Sequence, residues 1–443
     1  MQRRLIPARP DYLTRVHEAG LVYTHEDPQS DHPELYRYWR DDAYYEMTAD
    51  DVGALEEASM SIFRMLQDAG DWLLSPQGAW HLQRFQIPTV AMRAVVDSWN
   101  EEPACGSIFG RYDFRFGGVT HPDPSLRTPK LYEFNADTPT SLVESLVQWD
   151  WFEDNRPRFA LEPGGRTVSQ WTDMYEDLIA AWRRNLALIS AKIGHEPAVY
   201  FACSEVDSSH EDEMNTLVLR DTCRLAGYRV ETIYIENLWL GDDGRFYAGQ
   251  GGEHIDVIFK LYPWEHLARE QNADAIFADL LHSGLDRNPY AGGTIWIEPP
   301  YKILWSKKAI LPVLWHLFGK SEEGRKYLLP AWFDGDEPFS VNRTGYARKP
   351  ILAREGADIT LSHPTGVQIR GEEQGYGAEG FIVQELAEPP RFRRREEGVD
   401  VSTVVGVWMI DGEPSGMAVR ESRGPITDNF ANFLPHTVVG GPR

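Results

Sequence analysis

Two neighbouring stretches of the chain alternate between aromatic and polar positions. Residues 111–116 read RYDFRF and residues 132–137 read YEFNAD. Successive side chains of a β-strand point to opposite faces, so each stretch predicts a strand with one apolar face and one polar face. The segment between them is rich in glycine, proline and aspartate, which favours a loop joining two antiparallel strands.

The polar face of this predicted hairpin carries candidate metal ligands. Antiparallel pairing would bring Asp113, Glu133 and Asn135 together beside Arg111. Carboxylate and amide oxygens are hard ligands that suit Mg²⁺, and an adjacent arginine can bind a carboxylate or a phosphate with two hydrogen bonds. The same alternation is typical of an edge hairpin whose charged face is solvated, so the pattern by itself leaves both interpretations open.

The residues that follow the second strand favour the functional interpretation. Residues 137–141 read DTPTS, and small hydroxyl side chains at a strand end donate hydrogen bonds at short range and cap helices. The helix expected over residues 142–152 carries Glu144 in its first turn, as a capping box would.

Helical periodicity marks several other segments. Residues 48–51 (TADD) predict the capped start of a helix, because apolar residues recur at helical spacing between positions 52 and 73. A second helix is expected after Pro88, and positions 171–193 predict a long amphipathic helix that ends at Gly194. Residues 1–47 show no sustained period, and we expect an irregular lead-in there.

Strand and helix signals alternate between residues 198 and 262. Apolar runs at 198–203, 228–235 and 256–262 predict strands, and residues 212–225 predict a helix after the first of them. This alternation indicates an α/β layer, so we assign the chain to the α/β (α+β) class. The helix begins in an acidic cluster, SSHEDE at 208–213, whose carboxylates either complement the helix dipole or bind a cationic group.

The last third of the chain contributes lysines next to apolar elements. Residues 307–315 predict an apolar helix that begins with two lysines, and residues 345–349 lead into a loop at 353–358. A glycine-rich segment at 371–380, a strand at 381–386 and a hairpin at 401–420 follow. Isolated lysines are usually solvated, but lysines at these positions are candidates for phosphate contacts.

The composition of the chain limits the classes of partner that we expect. The 443 residues suffice for two or three lobes, and the net charge of −24 argues against nucleic acid and against a membrane surface as partners. An acidic field could attract a cationic amine, although an acidic host proteome explains it as well. Three cysteines without metal-ligand spacing, and no run of 18 apolar residues, predict a soluble cytoplasmic protein.

Four stretches, taken in chain order, carry a family resemblance. RYDF, LYEFNADTPTSLVES, SKKAILPVLW and GYARKPILAREG resemble the synthetase part of the glutathionylspermidine synthase family, from about residue 15 onwards. The resemblance is to stand-alone acid–amine ligase members, and no Cys/His pair replaces the amidase domain of bifunctional members. It implies an ATP-grasp fold and an ATP- and Mg²⁺-dependent reaction that joins a small-molecule or peptide carboxylate to an amine through an acyl phosphate.

The resemblance also implies a domain organisation and roles for particular residues. We expect a lead-in at 1–47, a helical cap, metal-binding hairpin and pre-ATP-grasp α/β lobe at 48–300, and a nucleotide-binding region at 301–443 that shares a sheet with 109–137. The implied Mg²⁺ ligands are Asp113, Glu133 and Asn135. Arg111 is implied on the reacting carboxylate, Arg420 near the reaction centre, and Lys308, Lys349, Arg354, Gly356, Gln384, Glu385 and Leu386 on ATP. The implied substrate contacts are Thr138, Thr140, Glu211, Asp212 and His266.

The chain departs from the family at positions expected to contact substrate. Thr138 and Thr140 stand where the family has serines, and Leu261 and His266 stand where threonines are expected. These differences favour an acceptor other than spermidine. Two other functions stay open: a nucleotide-binding protein that has lost catalysis, and a Mg²⁺-dependent phosphohydrolase, which would leave the distant lysines unexplained.

Overall fold

The computed structural model describes residues 1–23, 38–101, 106–159, 167–206, 209–284, 289–338, 341, 345–428 and 430–440. The helices in these ranges are α1 Tyr12–Glu18, α2 Ala49–Leu73, α3 Ala79–Gln83, α4 Thr89–Glu101, α5 Leu142–Phe159, α6 Met174–Ile193, α7 Glu211–Leu225, α8 Trp264–Leu267, α9 Ala273–His282, α10 Lys302–Ser306, α11 Ile310–Phe318 and α12 Glu322–Tyr327. The first eleven strands are β1 Gln2–Leu5, β2 Ala43–Thr48, β3 Phe109–Arg115, β4 Lys130–Asn135, β5 Val168–Ser169, β6 Val199–Cys203, β7 Val230–Tyr234, β8 Leu238–Leu240, β9 Phe246–Ala248, β10 Val257–Lys260 and β11 Ile295–Ile297. The later strands are β12 Ala331–Phe333, β13 Tyr346–Pro350, β14 Thr360–Ser362, β15 Gln368–Arg370, β16 Phe381–Glu385, β17 Arg391–Arg394, β18 Val399–Ile410, β19 Glu413–Ser422, β20 Asn432–Leu434 and β21 His436–Val439.

The strongly periodic helices are confirmed. Thr48 caps α2 through the predicted capping box: its hydroxyl accepts from the Asp51 amide at 3.1 Å, and the Asp51 carboxylate accepts from the Thr48 amide at 2.9 Å. Helix α6 ends at Gly194, which has the left-handed φ of 85°. It starts at Met174, three residues later than its apolar pattern begins.

The predicted irregular lead-in is wrong. Of residues 1–47, those at 24–37 lie outside the described residues, and the rest contain β1, α1 and most of β2. β1 pairs antiparallel with β2, and β2 pairs in parallel with β21 from the other end of the chain. Elements of four to seven residues are too short to show a periodic pattern, and their stability comes from this long-range pairing.

The capping-box interpretation of Glu144 is also wrong. The first amide of α5, on Leu142, donates to the Asn215 side-chain oxygen of α7 at 2.8 Å. The Glu144 carboxylate instead accepts hydrogen bonds from the hydroxyls of Tyr23, at 3.1 Å, and Tyr38. The side chain of Asn215 on α7 therefore pairs with the first amide of α5, and Glu144 does not cap the helix.

The predicted hairpin is confirmed and lies in a six-stranded sheet. β3 and β4 pair antiparallel, with Asp113 opposite Glu133 and Arg111 opposite Asn135. The sheet order is β20-β19-β18-β3-β4, with β17 also paired to β18, so strands from the last third of the chain continue it. β4 ends the order, but the charged face is not solvated, because Arg111 is 6% exposed and Asp113 is 3% exposed.

One parallel and one antiparallel sheet also belong to the α/β architecture. The three strands predicted at 198–262, which are β6, β7 and β10, join β11 in a parallel sheet of order β11-β10-β6-β7, which confirms the α/β layer. The last third adds an antiparallel sheet of order β12-β16-β13-β14-β15. The aromatic face of the β3–β4 hairpin lies in the main core, where Tyr112 and Phe134 pack with ring centroids 4.3 Å apart. Within the described ranges no helix is long and apolar enough to cross a membrane.

A buried ion pair joins the hairpin to the parallel sheet. Asp137, two residues after β4, accepts from the Lys260 ammonium at the end of β10 at 2.7 Å. Its other oxygen accepts from the Trp264 amide at 2.9 Å. Lys260 is 0% exposed and Asp137 is 2% exposed, so water does not screen the contact.

We predict that Asp137→Ala lowers the free energy of unfolding by about 3 kcal/mol, because it leaves the Lys260 ammonium and the Trp264 amide without their acceptor inside the protein. Urea unfolding at neutral pH measures the change. Asp242→Ala, at an exposed turn, is the matched control and should be neutral. A cost of Asp137→Ala below about 1 kcal/mol would show that the pair does not anchor the two sheets.

Candidate active site

One cleft of about 400 Å³ opens above the polar face of the β3–β4 hairpin. It is walled by strands of the six-stranded sheet, by β13 and β16, by the start of α7 and by the loop 353–358. The residues predicted from sequence that line it are Arg111, Asp113, Glu133, Asn135, Thr138, Thr140, Glu211, Asp212, Lys308, Lys349, Arg354, Gly356, Gln384, Glu385, Leu386 and Arg420. Residues more than 300 positions apart in the chain thus meet around one cavity.

Asp113 lies at the floor of the cleft between two arginines. Arg111 Nε donates to one carboxylate oxygen at 3.0 Å, and Arg420 Nη2 on β19 donates to the other at 2.7 Å. Burial alone would raise the pKa of Asp113, but the two guanidinium groups outweigh it and hold that pKa below its usual value. The carboxylate is therefore ionised throughout the physiological range.

Arg111 is itself held in a fixed orientation. Its Nη1 donates to the carbonyl oxygen of Thr140 at 2.5 Å, and its guanidinium lies 5.6 Å from the Trp408 ring centroid. A Cβ on Gly406, which pairs with Asp113 across β18 and β3, would stand 3.1 Å from Arg111 Cδ. Glycine at 406 therefore leaves the room in which the arginine lies across the sheet.

Glu133 faces the two predicted phosphate lysines. Lys308 Nζ lies 3.1 Å from the Glu133 carboxylate, and it also donates to the Ala353 carbonyl at 2.8 Å. Burial opposes ionisation of Glu133, but the Lys308 and Lys349 ammonium groups together outweigh it and lower the pKa of Glu133. Lys349, on β13, donates to Gln384 Oε1 at 2.8 Å, and burial lowers its pKa to about 8. Two lysines from distant segments thus converge on one carboxylate.

The three predicted metal ligands share one face and offer oxygen donors. Asn135 presently turns its amide nitrogen to Asp113, at 3.3 Å, and rotation of the amide would present its oxygen there. The described residues include no group of three or more His, Cys, Asp or Glu side chains that could hold a metal ion. Two carboxylates and an amide are too few for a dedicated metal cage, but they fit a Mg²⁺ ion that shares its remaining positions with phosphate oxygens and water.

The loop at 353–358 closes one side of the cleft. Arg354 Nη2 donates to the Thr138 hydroxyl at 2.6 Å, which joins the loop to the segment that follows β4. Gly356 has a left-handed φ of 72°, and a Cβ there would meet the carbonyl oxygen of Thr427 at 2.6 Å. The loop therefore packs against the chain that follows β19, and only glycine permits that approach.

The opposite end of the cleft is acidic. Glu211 is the first residue of α7, and Asp212 follows it. Burial, together with the nearby negative charges of Glu144, Asp212 and Glu355, raises the pKa of Glu211 to about 8, while a hydrogen bond with Thr140 opposes the shift. Glu211 therefore carries a proton at neutral pH and can change its charge near that pH.

His266 is the predicted substrate residue that the structure does not bring to the cleft wall. Its ring packs edge-on against Tyr262, with ring centroids 5.7 Å apart. The preceding residue, Glu265, lines the cleft instead and accepts from Ser306 Oγ at 3.2 Å. Leu261 is buried and is not part of the wall.

Sequence reasoning missed Glu265, Ser306 and Tyr132 as cleft residues. A single glutamate within the run KLYPWEH carries no pattern that separates it from a solvated residue. Tyr132 belongs to the apolar face of β4 by alternation, yet its hydroxyl donates to Ala387 O at 2.6 Å and it lines the cleft.

Sequence comparisons identify the family. The family model described as "Glutathionylspermidine synthase preATP-grasp" matches residues 3–439. The chain belongs to this family. A protein of Haemophilus influenzae named "Putative acid--amine ligase" is 28% identical over 443 residues, covering 98% of each chain. The "Bifunctional glutathionylspermidine synthetase/amidase" of Escherichia coli is 25% identical over 334 residues, and the match covers 72% of this chain and 48% of that protein.

A structural comparison agrees on the fold of this glutathionylspermidine synthase family member. A glutathione synthetase-like effector from Globodera pallida, in its apo form, superposes with a TM-score of 0.51 at 11% identity, covering 97% of this chain and 99% of the other. The fold is therefore the mixed α/β fold of glutathione synthetase-like, ATP-grasp type proteins, as the resemblance implied.

We predict that Lys349 titrates near pH 8 in the free protein, because burial disfavours its charged form. Glu133→Gln should move that titration to lower pH, since Glu133 supplies the main opposing negative charge. NMR of ¹³Cε-labelled lysine measures the midpoint, and loss of the signal in Lys349→Arg assigns it. A midpoint near the ordinary lysine value of about 10.4 would contradict the burial described here.

Proposed function

We propose that the protein is an ATP- and Mg²⁺-dependent acid–amine ligase that forms an amide bond through an acyl phosphate. The observation that supports it most is the arrangement around the cleft floor: Asp113 between two arginines, and Glu133 facing two lysines. A negatively charged substrate or a polyphosphate bound there would contact arginine and lysine cations, and the nearby carboxylates could hold its metal ion.

We assign activation of the acid to the arginines and lysines at the floor of the cleft. Arg111 binds the reacting carboxylate, whose oxygen attacks the γ-phosphorus of ATP, and ADP leaves. Lys308 and Lys349 hold the phosphates from opposite sides, and Arg354 closes the loop above them. Mg²⁺, held by Asp113, Glu133 and Asn135, would neutralise charge on the phosphate oxygens.

Amide formation is assigned to the acidic end. The amine nitrogen bonds to the acyl carbon, the bond from that carbon to the phosphate oxygen breaks, and phosphate leaves. Arg420 stabilises negative charge on the tetrahedral species, and Glu211 removes a proton from nitrogen. A pKa of about 8 suits this task, because a base works best when its pKa lies near the working pH.

The substrates follow from the charges of the two ends. The acceptor is an amino acid, a short peptide or a small polyamine, held through its positive charge by Asp212 and by the ionised form of Glu211. The acid is a small-molecule or peptide carboxylate, and the hydroxyls of Thr138 and Thr140, which line the cleft, contact it. Gln384, Glu385 and Leu386, at the end of β16, are assigned to the adenine.

We predict that sustained ADP formation requires ATP, Mg²⁺, the acid and an amine together, because without an amine the acyl phosphate is not consumed. Hydroxylamine should trap a hydroxamate from the correct acid before the amine is known. Glu133→Gln should lower turnover by at least about 100-fold, because a metal ligand is lost, and should leave the unfolding transition almost unchanged. Glu231→Gln, on the partly exposed edge strand β7, is the control.

Other outcomes of this assay identify the two competing functions. Phosphate release in the absence of the carboxylic acid would indicate a phosphohydrolase. ATP binding without ADP or hydroxamate across a broad panel of carboxylates would replace the ligase by a nucleotide-binding protein that has lost catalysis.

We predict that Gly406→Ala lowers turnover by roughly 10-fold, because a Cβ at 406 displaces Arg111 by a few tenths of an ångström from the reacting carboxylate. Steady-state kinetics measures the effect. Gly424→Ala, where a Cβ meets open space, is the control. Unchanged turnover with a normal fold would show that the placement of Arg111 across the sheet is not needed.

A further inference from the structure

A β-bulge in β4 directs the side chain of Tyr132 to the cleft instead of the core. The β3–β4 register passes from Glu133 to Leu131 between two successive residues of β3, so β4 carries one extra residue, Tyr132. Leu131 and Phe134 both lie in the main core, although strict alternation would place residues three positions apart on opposite faces. The two residues between them, Tyr132 and Glu133, therefore share the cleft face.

Tyr132 contacts Lys349, one of the two lysines proposed to hold the phosphates, in two ways. Its backbone carbonyl accepts from Lys349 Nζ at 3.3 Å, and the centroid of its ring lies 5.5 Å from the same nitrogen. An aromatic ring attracts a cation over its face, and the attraction is larger where water is excluded, as it is around Lys349, which is 7% exposed. Gln384 Oε1 is a further partner of this ammonium group, at 2.8 Å. Tyr132 and Gln384 therefore hold the lysine on the cleft face together.

The hydroxyl of Tyr132 contacts a different part of the cleft wall. It donates to the carbonyl oxygen of Ala387 at 2.6 Å. Ala387 lies two residues beyond the end of β16, lines the cleft, and directly follows residues 384–386, which are assigned to the adenine. Because β16 belongs to the five-stranded sheet and β4 to the six-stranded sheet, this hydrogen bond joins the two sheets beside the site.

We propose that Tyr132 is a positioning residue for nucleotide binding: its hydroxyl fixes the segment that contacts the base, and its ring and backbone carbonyl fix the lysine that contacts the phosphates. The identity of the ligand rests on the proposed function, whereas the two sets of contacts do not. One side chain thus sets the spacing between the base end and the phosphate end of the site. The bulge makes this possible, since bulges redirect side chains and are common next to active sites.

Two substitutions separate the two roles of Tyr132. Tyr132→Phe removes the hydrogen bond to Ala387 and keeps the ring beside Lys349, whereas Tyr132→Leu removes both contacts. The probes are MgATP and the Mg²⁺ complex of tripolyphosphate, which has phosphates but no base. Each probe is titrated into the full-length protein, and calorimetry measures its affinity.

The two probes should respond differently to the two variants. Tyr132→Phe should weaken MgATP binding about fivefold, the effect of one lost hydrogen bond, and leave tripolyphosphate binding unchanged. Tyr132→Leu should weaken tripolyphosphate binding by roughly tenfold, and MgATP binding by more, because Lys349 also loses the ring. Tyr247→Phe, which removes a hydroxyl that contacts Asp243 outside the cleft, is the matched control and should change neither affinity. A merely structural role would weaken both probes together, so equal weakening by Tyr132→Phe overturns the proposal.

Crystal structures of the variants test the contacts without any ligand. In Tyr132→Phe the Ala387 carbonyl should move while Lys349 Nζ stays in place, and in Tyr132→Leu both should move. Unmoved atoms in both variants, or unchanged affinities in both, overturn the proposal. If the wild-type protein binds neither probe while the atoms move as expected, the positioning role of Tyr132 stands and the proposed nucleotide-dependent function is rejected instead. If Tyr132→Leu does not fold, Tyr132→Phe alone decides, because it predicts both a difference between the probes and a shift of Ala387.

Discussion

The ionised carboxylate of Asp113, buried on the floor of the cleft, is the constraint around which the site is built. A buried charge needs partners, and here two arginines from β3 and β19 supply them at 3.0 and 2.7 Å. The partners in turn require strands from the first third and the last third of the chain to be neighbours, which the β3–β18–β19 pairing achieves. The cost of burying one charge thus fixes the topology of the central sheet near the site.

The alternation of charged and aromatic residues that buries Asp113 also places aromatic side chains on the opposite face of the hairpin. Tyr112, Phe114 and Phe134 enter the main core, so β3 and β4 cannot slip by one residue without exchanging aromatic and charged side chains between the two faces. Register in this hairpin is therefore set by the hydrophobic effect, and the relative positions of the three proposed metal ligands follow from it. The Asp137–Lys260 pair then fixes the hairpin against the parallel sheet.

Sequence patterns predicted those parts of the structure that depend on local periodicity. The hairpin, the α/β layer and the capped helix α2 were predictable, because each repeats its signal several times within a short stretch. The sheet formed by β1, β2 and β21 was not, since its short strands gain stability only from each other. The bond from Asn215 to the start of α5 was likewise hidden, because one buried asparagine 73 residues away carries no pattern.

The two ends of the cleft differ in how the backbone holds them. Asp113, Glu133, Lys349 and Arg420 stand on strands, whose ladders of hydrogen bonds fix neighbouring side chains relative to one another. Glu211 and Asp212 stand at a helix start, and Glu355 stands in a loop. Substitutions in a loop or at a helix start disturb fewer shared hydrogen bonds than substitutions within a sheet. The fold can therefore accept substitutions at the acidic end while the sheet keeps the side chains proposed to bind phosphates and metal at the other end in place.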